Sequence, residues 1–328
     1  MEPHRRGFIA WRDAGRTAVQ LALVTLLATT AASVGCAPGG ASQAPDLIWG
    51  EQGVAAGRLQ KPRAIAIDAQ GRLFLVDMLA RIQRYDLDGN FELGWMTPAS
   101  KNGRPCGLTM ARDGDLLVAD THYYRVLRYS PDGVLREDRT IGGTAGEGPG
   151  EFGFVTDAVE DSAGNMYVGE YGQNDRIQKF DPEGNYLLQW GSLGEEPGQF
   201  RRPQNLDVDA FDRVWAVDAC NHRVQVFDGE GRLQMVWGVE GSEPGQLYYP
   251  YDLVLDLGSD PSSGFVYVCE YGNNRVQKFT WDGRSVACWG VQGRGPGELF
   301  NPWAMARDAQ GRFHVVDSSN HRVQRIAF

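Results

Sequence analysis

The sequence has no Cys-x-x-Cys pair, and only five cysteines and five histidines in 328 residues. Thiolate zinc ribbons and dithiol redox motifs are thereby excluded. Cys106, Cys220, Cys269 and Cys288 each sit inside an ordinary strand or loop pattern and read as buried free thiols. A long hydrophobic run is also lacking, since the apolar stretch from Ala18 to Val34 is too short and weak for a membrane-spanning helix. Positive charge is scarce as well. Four Arg and two acidic residues precede residue 37, so the remainder carries 28 basic and 40 acidic groups, a net of −12. Such a field repels phosphate backbones and argues against nucleic acid as a partner.

What the chain has in abundance is turn residues. Its 42 glycines and 16 prolines favour short strands and frequent turns over long helices, and so an all-β class. The first 36 residues differ: Arg5, Arg6, Arg12 and Arg16 lead into the apolar stretch, which ends in "SVGC", the layout of a secretory signal. Its end resembles a bacterial lipoprotein signal, which implies a lipid on Cys36, membrane attachment through that lipid, and a place in the cell envelope, periplasmic or anchored to the outer membrane. "RRGFIA" also resembles a twin-arginine motif, leaving the export route open. Residues 37–45, "APGGASQAP", form a flexible tether.

From residue 46 onward the chain repeats. "GRLFLVDMLARIQRYDLDG", "GDLLVADTHYYRVLRYSPDG", "GNMYVGEYGQNDRIQKFDPEG", "DRVWAVDACNHRVQVFDGEG", "GFVYVCEYGNNRVQKFTWDG" and "GRFHVVDSSNHRVQRIAF" align on Asp77, Asp120, Glu170, Asp218, Glu270 and Asp317, with a period of 43 to 52 residues. A period in this range signals a propeller, and each unit has four short alternating β runs. The units resemble the NHL-repeat family, whose pattern reads roughly Pro-x-Gly/Asp-φ-Ala-φ-Asp, then Asp/Asn-Gly-x-φ-Tyr-Val-Ala-Asp, then Asn-x-Arg-Val-Gln-x-Phe. That resemblance covers 46–328 and implies one six-bladed, monomeric propeller. The sixth unit stops at Phe328 after its third strand. "DLIWGEQGVAAGRLQKP" matches the later linkers, so the N-terminal run is expected to supply the missing outer strand and close the ring.

The repeat also weighs the histidines. His222 and His321 share a turn slot with Ala80, Tyr124, Asp175 and Asn274, which reads as a permissive structural position beside an arginine paired to the aligned acid, as Arg223 with Asp218. The peptidyl-hydroxyglycine lyase on a similar propeller holds zinc with three channel histidines. No histidine here lies on an inner strand, so that resemblance brings no zinc. At the channel, blades 3, 4 and 5 present Asp157, Asn205 and Asp252 at equivalent positions. These could cap N–H groups at the strand start, the preferred reading since no general base is separately visible. Alternatively they could hold Ca²⁺ or Mg²⁺, an arrangement resembling six-bladed lactonases. The linker-loop face gathers Arg63, Tyr123, Tyr124, Arg202, Tyr249, Tyr251 and Trp303, residue types enriched at binding hot spots. The leading expectation is a platform for a protein, peptide or glycan, with a channel-metal hydrolase or lyase-like enzyme as the alternative.

Overall fold

The computed structural model describes residues 44–172, 174–256 and 264–328. The proposed signal, the tether up to residue 43 and Cys36 lie outside them. Six four-stranded antiparallel sheets form the blades of a six-bladed β-propeller, and no α-helix occurs among the described residues. In blade 4 the strands run Pro203–Val208, Val214–Asp218, Arg223–Phe227 and Leu233–Trp237, from channel to rim. The second strands are buried along all or nearly all of their length, which is why "LFLV" and "VWAVD" are almost continuously apolar. Outer strands alternate half-buried and exposed, as in Tyr186–Trp190.

Six apolar clusters fill the gaps between neighbouring blades, the last joining Trp49, Leu59, Ile65 and Tyr85 to Ala304, Val316 and Val323 across the seam of the chain ends. That seam closes as the sequence predicts: Leu47–Trp49 pairs antiparallel with Arg322–Ile326, Leu47 opposite Arg325 and Trp49 opposite Val323. Arg325 then ties Asp46 at 3.0 Å to Asp88 of blade 1 at 3.1 Å.

All six acid–arginine pairs are present: Asp77–Arg81, Asp120–Arg125, Glu170–Arg176, Asp218–Arg223, Glu270–Arg275 and Asp317–Arg322, at 2.6 to 2.9 Å. In five blades the arginine also reaches the linker entering its own blade. Arg223 donates to the carbonyls of Glu195, Glu196 and Gln199. The glutamine two residues on completes the grip, Gln225 accepting from Gly198 N–H and donating to Gln199 O. Blade 2 lacks all three parts together: Leu127 replaces the glutamine, the preceding linker has no matching loop, and among the described residues Arg125 bonds Asp120 but no linker carbonyl. The "Arg-Val-Gln" signature is therefore a clamp on the "Gly-x-Leu/Phe" linker, whose plug residues Leu59, Phe152, Phe200, Leu247 and Leu299 are fully buried.

The histidine slot is less permissive than its spread of residues suggests. His222 Nδ1 accepts the backbone N–H of Tyr249, and His321 Nδ1 that of Lys61, both at 3.0 Å. Asp175 and Asn274 accept from Arg202 and Asn301 in the same way. The slot selects an acceptor that latches the next blade's linker. Among the described residues, blades 1 and 2, with Ala80 and Tyr124, show no such latch. His314 is also structural, buried with Nε2 3.3 Å from Asp308 Oδ2. Cys106 and Cys269 are buried free thiols as expected, whereas Cys220 is free but only partly buried, and Cys288 is disulfide-bonded rather than free.

Candidate functional site at the channel mouth

Three of the inner strands begin with a distortion that aims side chains at the channel. In blades 3, 4 and 5 the register slips between Val155 and Asp157, Pro203 and Asn205, and Pro250 and Asp252. Two residues then face one partner, a β-bulge that bends the strand and re-aims its side chains. The residues at this place around the ring, among them Arg63, Cys106, Gln204, Tyr251 and Trp303, line a pocket of about 20 Å³ with Asp157, Asn205 and Asp252 beneath them. That volume admits roughly one water-sized group.

Above this neck runs an arc of rings and cations. Tyr124 stacks on Phe154, and Phe154 meets Tyr171 at 5.3 Å. Arg202 lies over Tyr171 at 4.9 Å and over Tyr251 at 5.2 Å. Tyr251 stacks on Tyr271 at 4.6 Å and meets Trp303 edge-on at 5.0 Å. Arg63 closes the sequence over Trp303, also at 5.0 Å. Cation–π contacts of this kind contribute about 0.5–2 kcal/mol each, more when dry. Neither guanidinium forms an ion pair among the described residues; Arg202 Nε donates to Gln204 Oε1 at 2.6 Å. Burial, reinforced by the nearby Arg202, lowers the pKa of Arg63.

Beneath the arc, half of the channel wall is acidic. Asp157 accepts from Thr109 Oγ1 at 3.1 Å, Asn205 Nδ2 at 2.9 Å and the backbone N–H of Leu206 at 3.1 Å. Asn205 Oδ1 accepts from Leu253 N–H and Asp252 Oδ2 from Met305 N–H, each reaching into the following blade. Burial pushes Asp157 up to about 7 and Asp252 well above the carboxylate range. One turn deeper, burial raises Asp207 to about 6 while it accepts from Leu255 N–H. Blades 6, 1 and 2 put Ala304, Ala64 and Gly107 at the same slot and have no acceptor to offer.

The structure therefore brings together Arg63, Arg202, Tyr251 and Trp303 at the mouth, and Asp157, Asn205 and Asp252 in the channel. Tyr124 joins the far end of the arc. Tyr123 stands apart under Arg125, and Tyr249 belongs to a separate cluster with Tyr248 and His222. The three channel residues spend oxygens on backbone N–H groups of the following blade. No group of three or more His, Cys, Asp or Glu among the described residues is arranged to hold a metal ion. Sequence reasoning missed Tyr171 and Tyr271. Their signal was "EYG", present at 170–172 and 270–272 only, in the two blades where Glu replaces Asp at the end of the second strand.

Comparison with known proteins agrees on the fold. No family model matches the chain. A stretch of 113 residues is 34% identical to peptidyl-glycine alpha-amidating monooxygenase B of Xenopus laevis, covering 32% of this chain and 13% of that protein. Another match of 104 residues is 33% identical to NHL repeat-containing protein 3 of Mus musculus, covering 30% of this chain and 29% of that one. The chain thus spans less than a third of either relative. Among solved structures it is similar to a streptogramin B lyase, with a TM-score of 0.59, 12% identity, and coverage of 85% of this chain and 96% of that one. It is also similar to the WD40 β-propeller domain of Doa1, with a TM-score of 0.55, 13% identity, and coverage of 81% and 78%. Structural likeness at these identities establishes the six-bladed, NHL-repeat-like propeller and nothing of its chemistry.

Proposed function

We propose that this chain is a binding platform whose working surface is the linker-loop face, recognising a protein, peptide or glycan at the mouth of its channel. The observation that carries this reading is the arc from Tyr124 to Arg63. It sets two arginines without ion pairs among aromatic rings, on rigid strand starts, around one opening. Half-buried rings and unpaired guanidiniums are the residue types that dominate binding energy when a partner dries them. A channel-metal hydrolase or lyase-like enzyme is the alternative. It rests on the convergence of Asp157, Asn205 and Asp252 and on activities that belong, by name, to the relatives.

The test is a screen of the full chain against a peptide library and a glycan array, repeated with Tyr251→Ala, Trp303→Ala and, on the opposite face, Phe211→Ala. Specific ligands should weaken by at least about 1 kcal/mol with the first two and be unchanged with the third. Ligands indifferent to both mouth substitutions would overturn the reading. The proposal includes export and, in place of any disulfide at that thiol, a lipid on Cys36: Cys36→Ala should abolish detergent partitioning of the expressed protein, and unchanged fractionation would remove the anchor.

A further inference from the structure

The acidic half of the channel ring has a counterpart. In blades 4, 5 and 6 the third residue after the position of the linker's last residue, next after the channel slot, turns its N–H toward the channel. Leu206, Leu253 and Met305 have theirs taken by Asp157, Asn205 and Asp252 of the preceding blade. Ile65 and Leu108 hold the equivalent places in blades 1 and 2, opposite Leu75 and Val118 in the ladder. The blades before them present Ala304 and Ala64, and among the described residues no side chain accepts from either N–H. Both residues line the pocket with Arg63.

An unmatched guanidinium converging with unmatched backbone N–H groups is an anion site in all but its ion. We propose that the blade 1–2 side of the neck binds the carboxylate end of an organic monoacid, with the rest of the ligand lying on Trp303, Tyr251 and Tyr271. This deepens the platform reading and rests on it. Three features select a carboxylate. The neck, about 20 Å³, admits one oxygen of a head group, and a planar carboxylate presents that oxygen with less bulk behind it than a tetrahedral oxyanion does. The aromatic arc offers an apolar body its contact surface, which a bare inorganic ion would leave unused. The carboxyl groups across the channel oppose a doubly charged guest more than a singly charged one. They bear less than full charge themselves, since burial holds Asp157 and Asp252 toward their protonated forms.

The experiment is calorimetric titration of the full chain with benzoate, its neutral isostere benzamide, inorganic phosphate and chloride. Wild type is compared with Arg63→Gln and Ala64→Asn. The second variant copies the Asn205 arrangement into blade 1, so that a neutral amide caps Leu108 N–H while the fold keeps a contact it already makes elsewhere. Benzoate should bind at least about tenfold more tightly than benzamide, and each variant should lose about tenfold. Equal binding of acid and amide by wild type overturns the proposal without any mutant, as does undiminished benzoate binding by both variants. Phosphate or chloride binding more tightly than benzoate overturns the carboxylate assignment. Library ligands that depend on Trp303 but ignore both Arg63→Gln and added benzoate would remove this site and leave the platform standing. Benzoate that binds as described, with no library ligand sensitive to Trp303→Ala, would do the reverse.

Discussion

The imidazole Nδ1 of His222 accepts the backbone N–H of Tyr249 at 3.0 Å, a bond that crosses from blade 4 to the linker of blade 5. Tyr249 has a φ of 47° and precedes Pro250, and His222 itself has a φ of 56°. Two residues in the left-handed region are thus held by one side-chain contact, a local strain that the latch offsets. The ring must be neutral to accept, and the equivalent bond of His321 to Lys61 N–H repeats the requirement at the seam of the molecule.

A pH dependence follows from these two latches. Burial lowers the pKa of both His222 and His321 below the ordinary value of 6.5. The unfolded chain therefore binds protons that the folded one refuses. The stabilisation is complete above the ordinary value and is lost as pH falls from there toward the folded pKa. Asn accepts at the same slot in blade 5 and tolerates the left-handed region. The double variant His222→Asn, His321→Asn should therefore melt close to wild type near pH 7.5 and should lose less of its Tm on acidification to about pH 5. Identical acid slopes in the two proteins would show that these imidazoles carry no linkage.

The linker clamp predicts unequal costs for one substitution made in two blades. Arg223→Ala leaves the fully buried Asp218 without its cation and frees three linker carbonyls, which should cost about 3–5 kcal/mol. Arg125→Ala frees no linker carbonyl, but it too leaves a fully buried acid, Asp120, without its cation, so it should cost about 3 kcal/mol, the lower end of that range. Denaturant melts of both variants measure the difference, and equal losses would mean that the linker contacts contribute nothing.

Ring closure is testable at Trp49, which is buried against Tyr85 with ring centroids 4.7 Å apart. Removing residues 46–53 takes away the outer strand of blade 6 and this ring, exposing the edge of Arg322–Ile326. Trp49→Ala alone should cost about 3–5 kcal/mol, a Tm drop of roughly 10 °C in a domain this large. The truncation should exceed that and promote aggregation, whereas removal of 37–45 should leave the melt nearly unchanged. Coincident melts for the two truncations would refute closure by this strand.

The blades, their number and the closing strand were legible because each is written several times in the sequence, and repetition averages out local exceptions. The acid–arginine pairs were legible for the same reason. What a side chain does across a blade boundary was not. His222 meets a residue 27 positions away in a linker whose left-handed turn no local pattern announces, so the slot looked permissive when it selects acceptors. At the channel, the identities of Asp157, Asn205, Asp252, Ala64 and Ala304 were read off directly. Which N–H groups they satisfy or leave open depends on the bulge register, and that is set by pairing with the second strand. Tyr171 and Tyr271 escaped because their signal occurs in only two of six units.

The channel acids allow the platform and metal readings to be separated by a sign. Burial raises Asp157 to about 7, so its folded form binds a proton more readily than its unfolded form. Its contribution to stability is therefore full below the unfolded carboxylate range and is lost as pH rises through about 7, opposite in direction to the histidine latches. Asp157→Asn mimics the protonated state, and its amide can still accept from Leu206 N–H while donating toward Thr109. It should gain Tm relative to wild type near pH 8 and converge with it near pH 5. If instead Asp157, Asn205 and Asp252 hold Ca²⁺ or Mg²⁺, the carboxylates are ionised in the complex, the substitution destabilises at every pH, and a chelator lowers the wild-type Tm. We expect Asp157→Asn to be the more stable protein in alkali and the dialysed wild type to carry less than stoichiometric metal. About one equivalent of cation surviving dialysis, and lost with Asp252→Asn, would transfer the site to the metal reading.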